Sequence, residues 1–284
     1  MNNSKLFPLS FFFIFGMSNL FGSINVLLDK NTFYQGDTIK IIIKDIDKNT
    51  KVFCSFNKKK YPAFVCKRNK KRILVGVSSD VKPGEYLLIV KVKKIFFSKE
   101  WKSIINIKGN KFPTEKINFS NEKKVLIEKA SRIKDDSIVI DSLKTITEKQ
   151  YWEGKFILPA KGKITTSYGT RRKNKENASV GIHRGIDISS SYGDSVVAPN
   201  NGLILLTGEF ILYGKMIIID HGNGVCTLYL HLDSIDVKEG EYVKKGIKIG
   251  RMGSTGLSTG PHLHWGLYVF GDSVAPLVWT QTEF

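Results

Sequence analysis

From Tyr151 onward the sequence holds no stretch with a helical period of useful length, and a glycine stands at nearly every turn between short alternating runs. This pairing leaves short strands joined by tight reversals, for which glycine supplies positive φ without steric cost. Strands are expected at Val196–Ala198, Leu203–Thr207, Met216–Asp220, Val225–Leu232, Lys248–Met252 and His262–Val269. A compact, mostly antiparallel β domain over residues 151–284 follows.

Upstream the text is also β-rich, but organised differently. Seven short runs, Ile24–Leu28, Thr38–Lys44, Val52–Phe56, Tyr61–Cys66, Arg72–Val77, Glu85–Val92 and Ser103–Ile107, fall within about 85 residues and predict an antiparallel, Ig-like β-sandwich over 24–110. Lysine-rich turns such as Lys58–Lys60 and Lys70–Lys71 read as solvated faces. Between the two β regions, residues 111–150 read as a helical linker. Leu126, Ala130 and Ile133 stand there at helical spacing, with Ser120 available as an N-cap. Residues 1–23 have the outline of an export signal, with an apolar run from Leu6 to Phe15 ahead of small residues Gly22 and Ser23. Polar interruptions keep that run short of the roughly 20 residues that span a bilayer. Phe21 leaves the cleavage site open, so a retained anchor is the alternative.

The chain has 44 Lys+Arg against 26 Asp+Glu, a formal net charge of +18. Such an excess would ordinarily suggest nucleic acid, anionic membrane or an acidic polymer as partner. Its distribution argues otherwise, because residues 151–284 are near neutral at +2 while all five histidines and 19 of 25 glycines lie there. Chemistry is therefore expected in the second half. The first half carries no nucleic-acid motif, which leaves envelope or membrane contact, cover for the cleft, or a spacer as its roles. Three cysteines, Cys54, Cys66 and Cys226, exclude a disulfide scaffold and a Cys-rich metal cluster; Cys54 and Cys66 could pair across a hairpin.

Alternation places the histidines. In Val225–Leu232 the residues Cys226, Leu228, Leu230 and Leu232 form an apolar face, which sets His231 with Thr227 and Tyr229 on the other. In His262–Val269 the apolar Leu263, Trp265, Leu267 and Val269 leave His262 and His264 pointing together from the opposite face, their Cα atoms roughly 6.6 Å apart. One can hold a metal while the other stands beside its open position. Fully extended, His183 and Asp187 would be about 13 Å apart, so the chain must turn between them, and Gly185 permits this. Two neutral imidazoles and a carboxylate with one position left open match a catalytic rather than a structural zinc site. His221, in His221-Gly222-Asn223-Gly224, is read as structural. Tyr213 and Thr259 are candidates to line a cleft.

The segments HRGID (183–187), HGNGVCTLYLHL (221–232) and GSTGLSTGPHLHWGL (253–267) closely resemble the lysostaphin/LytM-type zinc metallopeptidases, which cut peptide cross-links of peptidoglycan. The resemblance is strong over about 151–276, and a weaker one upstream, around DVKPGEYLLIVKV (80–92), suggests the β-sandwich that precedes the catalytic domain in exported members. It implies a catalytic domain of the duplicated hybrid motif type and one Zn²⁺ ion per chain. It further implies His183, Asp187 and His264 as metal ligands, with His231 and His262 as the two catalytic histidines that do not bind the metal. Peptidoglycan is then the substrate and the cell envelope or periplasm the location. A partner at the N-terminal half would regulate the site. Related domains that lose metal ligands act instead by activating other wall hydrolases, and the complete ligand set here argues for catalysis.

Overall fold

A computed structural model describes residues 24–93, 98–117, 126, 132–173 and 179–284. The segment 1–23, Ser120 and Ala130 lie outside the described residues. The architecture is mostly β, as expected.

The first half is built of two facing sheets. In one, Thr38–Lys44 pairs with Asn25–Leu28 and with Lys70–Gly76, and Phe64–Lys67 completes the row. In the other the order is Thr32–Tyr34, Ser98–Lys108, Gly84–Lys93, Lys51–Phe56 and Lys59–Pro62, with a parallel pairing only at Thr32–Tyr34. Ile39, Ile41, Ile43, Ile73 and Val75 meet Val52, Phe56, Leu88, Val90 and Ile105 between the sheets, all of them buried. The apolar side chains of the runs expected as strands are therefore the ones that fill the core.

The expected single strand Tyr61–Cys66 is instead two, Lys59–Pro62 and Phe64–Lys67, one in each sheet. Pro62 has no N–H to donate and tolerates only an edge, so the chain crosses between sheets at Ala63. The crossing carries Cys66 away from Cys54. Both are free thiols, and their sulfur atoms approach different carbonyls, Ser55 for Cys54 and Lys70 for Cys66.

In the second half a ten-stranded sheet runs Lys163–Thr166, Ile186–Ser189, Leu263–Val269, Val225–Ile235, Gly214–Gly222, Gly202–Phe210 and Tyr242–Val243, with Ser195–Val197, Lys248–Met252 and Asp272–Val274 branching from it. Every pairing in it is antiparallel. One face buries Ile186, Leu263, Trp265, Tyr229 and Ile217. The other presents Met216, Ile218, Cys226, Leu228 and Tyr268, which pack with Val139 and Leu143 from the helix Arg132–Ser142 and its end. Ile133, expected on that helix's apolar face, is 69% exposed. Val139 and Leu143, four apart and therefore one above the other, make the contact in its place.

The two halves do not meet as separate bodies. The sandwich core continues without a break into Trp152, Phe156, Val225, Leu267, Phe270 and Trp279. Arg72, on a sandwich strand, stacks over the Trp152 ring at 4.7 Å and donates to Gln150 and Asn223.

Candidate metal centre

Neighbouring strands bring the three expected ligands together. Asp187 and His264 are register partners on Ile186–Ser189 and Leu263–Val269, and paired antiparallel residues share a face. His183 precedes the first strand, and the chain bends at Gly185 to return it to the same point. A Cβ at Gly185 would stand 2.4 Å from the Trp265 carbonyl oxygen and 2.8 Å from His264 Nε2. The position therefore needs glycine for close approach. His183 Nε2 lies 2.9 Å from Asp187 Oδ1 and 2.8 Å from His264 Nδ1, and that nitrogen is 3.0 Å from the same Oδ1. All three residues are buried.

His183 Nδ1 is 3.0 Å from the Ser167 carbonyl oxygen, which can only accept. The ring proton therefore sits on Nδ1, and Nε2 presents a bare lone pair to a carboxylate and a second imidazole. His183 Nε2, Asp187 Oδ1 and His264 Nδ1 thus lie within 3.0 Å of one another, close enough for one cation to draw on all three. The donor set, the carbonyl-fixed tautomer and the burial all fit zinc, whose nitrogen and oxygen ligands sit at about 2.0–2.2 Å. Burial lowers the His264 pKa to about 4, so the ring is neutral and able to ligate at neutral pH.

His231 and His262 stand beside this cluster with their ring centroids 4.9 Å apart. His231 Nδ1 lies 2.8 Å from the Thr255 carbonyl and His262 Nδ1 2.8 Å from that of Gly260, so each Nδ1 donates and each Nε2 is left as an acceptor. His262 Nε2 comes within 3.8 Å of Asp187 Oδ1. Burial first, then the charges of His262 and His264, push the His231 pKa down to about 3. A cleft of about 380 Å³ opens over both rings, with Asp187 and His264 at its floor and Thr259 in its rim.

Simple alternation does not explain how His231 arrives there. Cys226, Leu228 and Leu230 lie under the helix Arg132–Ser142, on the face that carries His264, while Tyr229 and Leu232 are both in the main core. The backbone at His231 is left-handed, φ 62°, and this one residue reverses the alternation. Such a conformation costs a non-glycine residue about 1–2 kcal/mol. Bonds from His231 N–H to the Tyr213 carbonyl and from Nδ1 to that of Thr255 hold it in place. Thr227 and Tyr229, expected beside His231, are instead buried in a chain that runs from His221 Nε2 through Thr227 Oγ1 to the Tyr229 hydroxyl. His221, completely buried with Nδ1 donating to the Asn201 carbonyl, is a structural residue as expected. Tyr213 lines not this cleft but a neighbouring cavity of about 420 Å³, and its hydroxyl donates to Asp136 of the helix.

One residue at the site was not foreseen. Arg172 donates from Nη2 to Asp187 Oδ2 at 3.0 Å and from Nε to Glu115 Oε1 at 2.9 Å. Thr114–Lys116 runs parallel to Arg171–Lys173 with Glu115 opposite Arg172, and this segment forms one wall of the cleft. Glu115 arrives from 57 residues upstream. A pairing so distant leaves no local pattern to read.

Comparison with known proteins agrees with this geometry. Residues 181–276 match the family model of peptidase family M23. Over 120 residues the chain is 36% identical to the peptidoglycan DD-endopeptidase ShyA of Vibrio cholerae, which covers 42% of this chain and 28% of that protein. It is 44% identical over 96 residues to the DD-carboxypeptidase/endopeptidase Mpg of Neisseria meningitidis, covering 34% of this chain and 22% of that one. It is also 38% identical over 120 residues to the murein hydrolase activator NlpD of Escherichia coli, covering 42% of this chain and 29% of that one. The chain thus spans less than a third of the length of each of these curated relatives. A solved structure from Pseudomonas aeruginosa named for the M23 peptidases shares the fold at a TM-score of 0.65 and 21% identity, covering 90% of this chain and 97% of that one. With the matching motifs and the matching fold in hand, residues 181–276 of this chain are a peptidase M23 domain of the lysostaphin/LytM type.

Proposed function

We propose that the protein is an exported, zinc-dependent endopeptidase that hydrolyses peptide cross-links of peptidoglycan at the cell envelope. The observation that carries the reading is the convergence of His183 Nε2, Asp187 Oδ1 and His264 Nδ1 within 3.0 Å of one another beside an open cleft. Zinc bound there would supply Lewis acidity, which acidifies water and polarises a carbonyl. The endopeptidase names of the Vibrio and Neisseria relatives support peptidoglycan as the substrate class.

The protein's own groups do the rest. His183, Asp187 and His264 fix the floor of the cleft, and the Ser167 carbonyl sets the tautomer of His183 before any ligand arrives. His262 and His231 offer unprotonated Nε2 atoms on the side where a scissile amide would lie. One accepts the proton of the attacking water and returns it to the departing amine. The other flanks the developing oxyanion and stabilises it with a proton taken up from solvent during the step. No glutamate stands next to a ligand in the sequence as it does in HExxH enzymes, so histidine supplies the base. His262, with 15% of its side chain exposed, is the better placed to exchange protons with solvent.

The test is digestion of purified peptidoglycan, with the fragments identified by mass spectrometry. His262→Ala should abolish new fragments while zinc content stays near one per chain, and full activity in that variant would refute the assigned role. A wild-type chain that releases no fragments but accelerates other wall hydrolases would instead be an activator, as NlpD is named.

A further inference from the structure

The segment leaving the sandwich reaches the floor of the cleft through two side chains. Asn110 is tied to the sandwich by its N–H to Gln35 Oε1 and by Nδ2 to the Gln35 carbonyl. Phe112 then fills the space a side chain at Gly169 would need, 2.2 Å from that residue's ideal Cβ position. Glu115 follows, paired with Arg172, which holds Asp187 Oδ2. Asp187 Oδ1 is the oxygen that faces both imidazoles. The carboxylate's two oxygens therefore have separate duties.

We infer that Glu115 and Arg172 are a positioning pair for the metal centre, which keeps Asp187 a one-oxygen ligand and cancels the guanidinium charge beside the cation site. This rests on the zinc reading above. Without Arg172, Oδ2 is free to turn toward the ion and fill the position the reaction needs open. Arg172 alone would place an uncompensated positive charge one carboxylate away from a dication, and Glu115 removes that penalty. Arginine suits the place because its planar fork donates to two carboxylates at once, which an ammonium cannot do in the same geometry. The sandwich thereby influences the site through its outgoing strand, with no moving lid required.

The experiment uses the full chain, Glu115→Gln, Arg172→Gln and the double variant, with zinc affinity read by competition against a chromophoric chelator. Glu115→Gln should weaken zinc binding at least about tenfold, as loss of an outer-shell partner does. In the Arg172→Gln background the same change should alter affinity by no more than about twofold, since the charge it cancels is gone. Cobalt substituted into Arg172→Gln should show the weaker visible absorption of a five-coordinate ion rather than the stronger bands of a four-coordinate one. Because Glu115 is partly exposed, its variant should melt with the wild type, which separates this effect from misfolding. Equal losses in both backgrounds, or none in either, would overturn the inference and leave the proposed activity standing. A wild-type chain that takes up no zinc would overturn both.

Discussion

Gly185→Ala is a minimal perturbation aimed at the geometry of the site. The added methyl would lie 2.4 Å from the Trp265 carbonyl oxygen, 2.8 Å from His264 Nε2 and 2.9 Å from His264 Cε1. Gly185 is not in the left-handed region, so the effect is one of space alone. Relieving the contact to ordinary distance requires the bend and the strand Leu263–Val269 to part by about 1 Å. The same two strands carry Asp187 and His264 as register partners, so the displacement falls on the ligands themselves. Overpacking of this kind costs about 1–3 kcal/mol, and 2 kcal/mol corresponds to a fall in Tm of roughly 4–8 °C for a chain of this size. Misplacing catalytic groups by about 1 Å costs about a hundredfold in rate. Calorimetry, chelator competition and peptidoglycan digestion read the three effects separately. A variant that melts with the wild type and binds zinc within about twofold of it would refute the close-approach argument.

Two further perturbations lie outside the site. His221 is fully buried and burial lowers its pKa to about 4; the unfolded chain has the ordinary value near 6.5. Above that value both states are neutral, and between about 6.5 and 4 only the unfolded state takes the proton, so stability falls with pH by about 3 kcal/mol. Urea unfolding at the two ends of this window should show a loss in His221→Gln that is smaller than the wild type's by about that amount, and equal losses would contradict it. Trp152→Ala removes a ring that packs at 6.0 Å on Trp279 and under Arg72, in the core shared by the two halves. It should destabilise by about 3–5 kcal/mol and lower one common calorimetric transition, whereas two separate transitions would show that the halves fold independently.

Much of the fold was legible because it rests on local pattern. Short β-rich runs marked out most of the sandwich strands, whereas alternation set both His262 and His264 on one face and only the family resemblance singled out His264 as the partner of Asp187. What escaped were the breaks in that pattern. His231 reaches the site through one left-handed residue, and nothing in Leu230-His231-Leu232 marks that φ. Pro62 was a visible signal for the crossing that separates Cys54 from Cys66, since proline is disfavoured inside a continuous strand. The helix Arg132–Ser142 was expected, yet the residues it buries were set by the surface offered by Leu228 and Tyr268, which only the folded sheet defines. Glu115 and Arg172 meet through a parallel pairing between distant segments, for which no periodicity exists to be read.

The most direct measurement is zinc content by atomic absorption on the purified chain and on His264→Ala, after dialysis against a weak chelator. Retention of one ion by the native protein, with near-complete loss in the variant, is the expected pair of values. A native protein that emerges free of zinc, or a variant that keeps its full complement, would contradict the view that these imidazoles and this carboxylate converge in order to hold a metal.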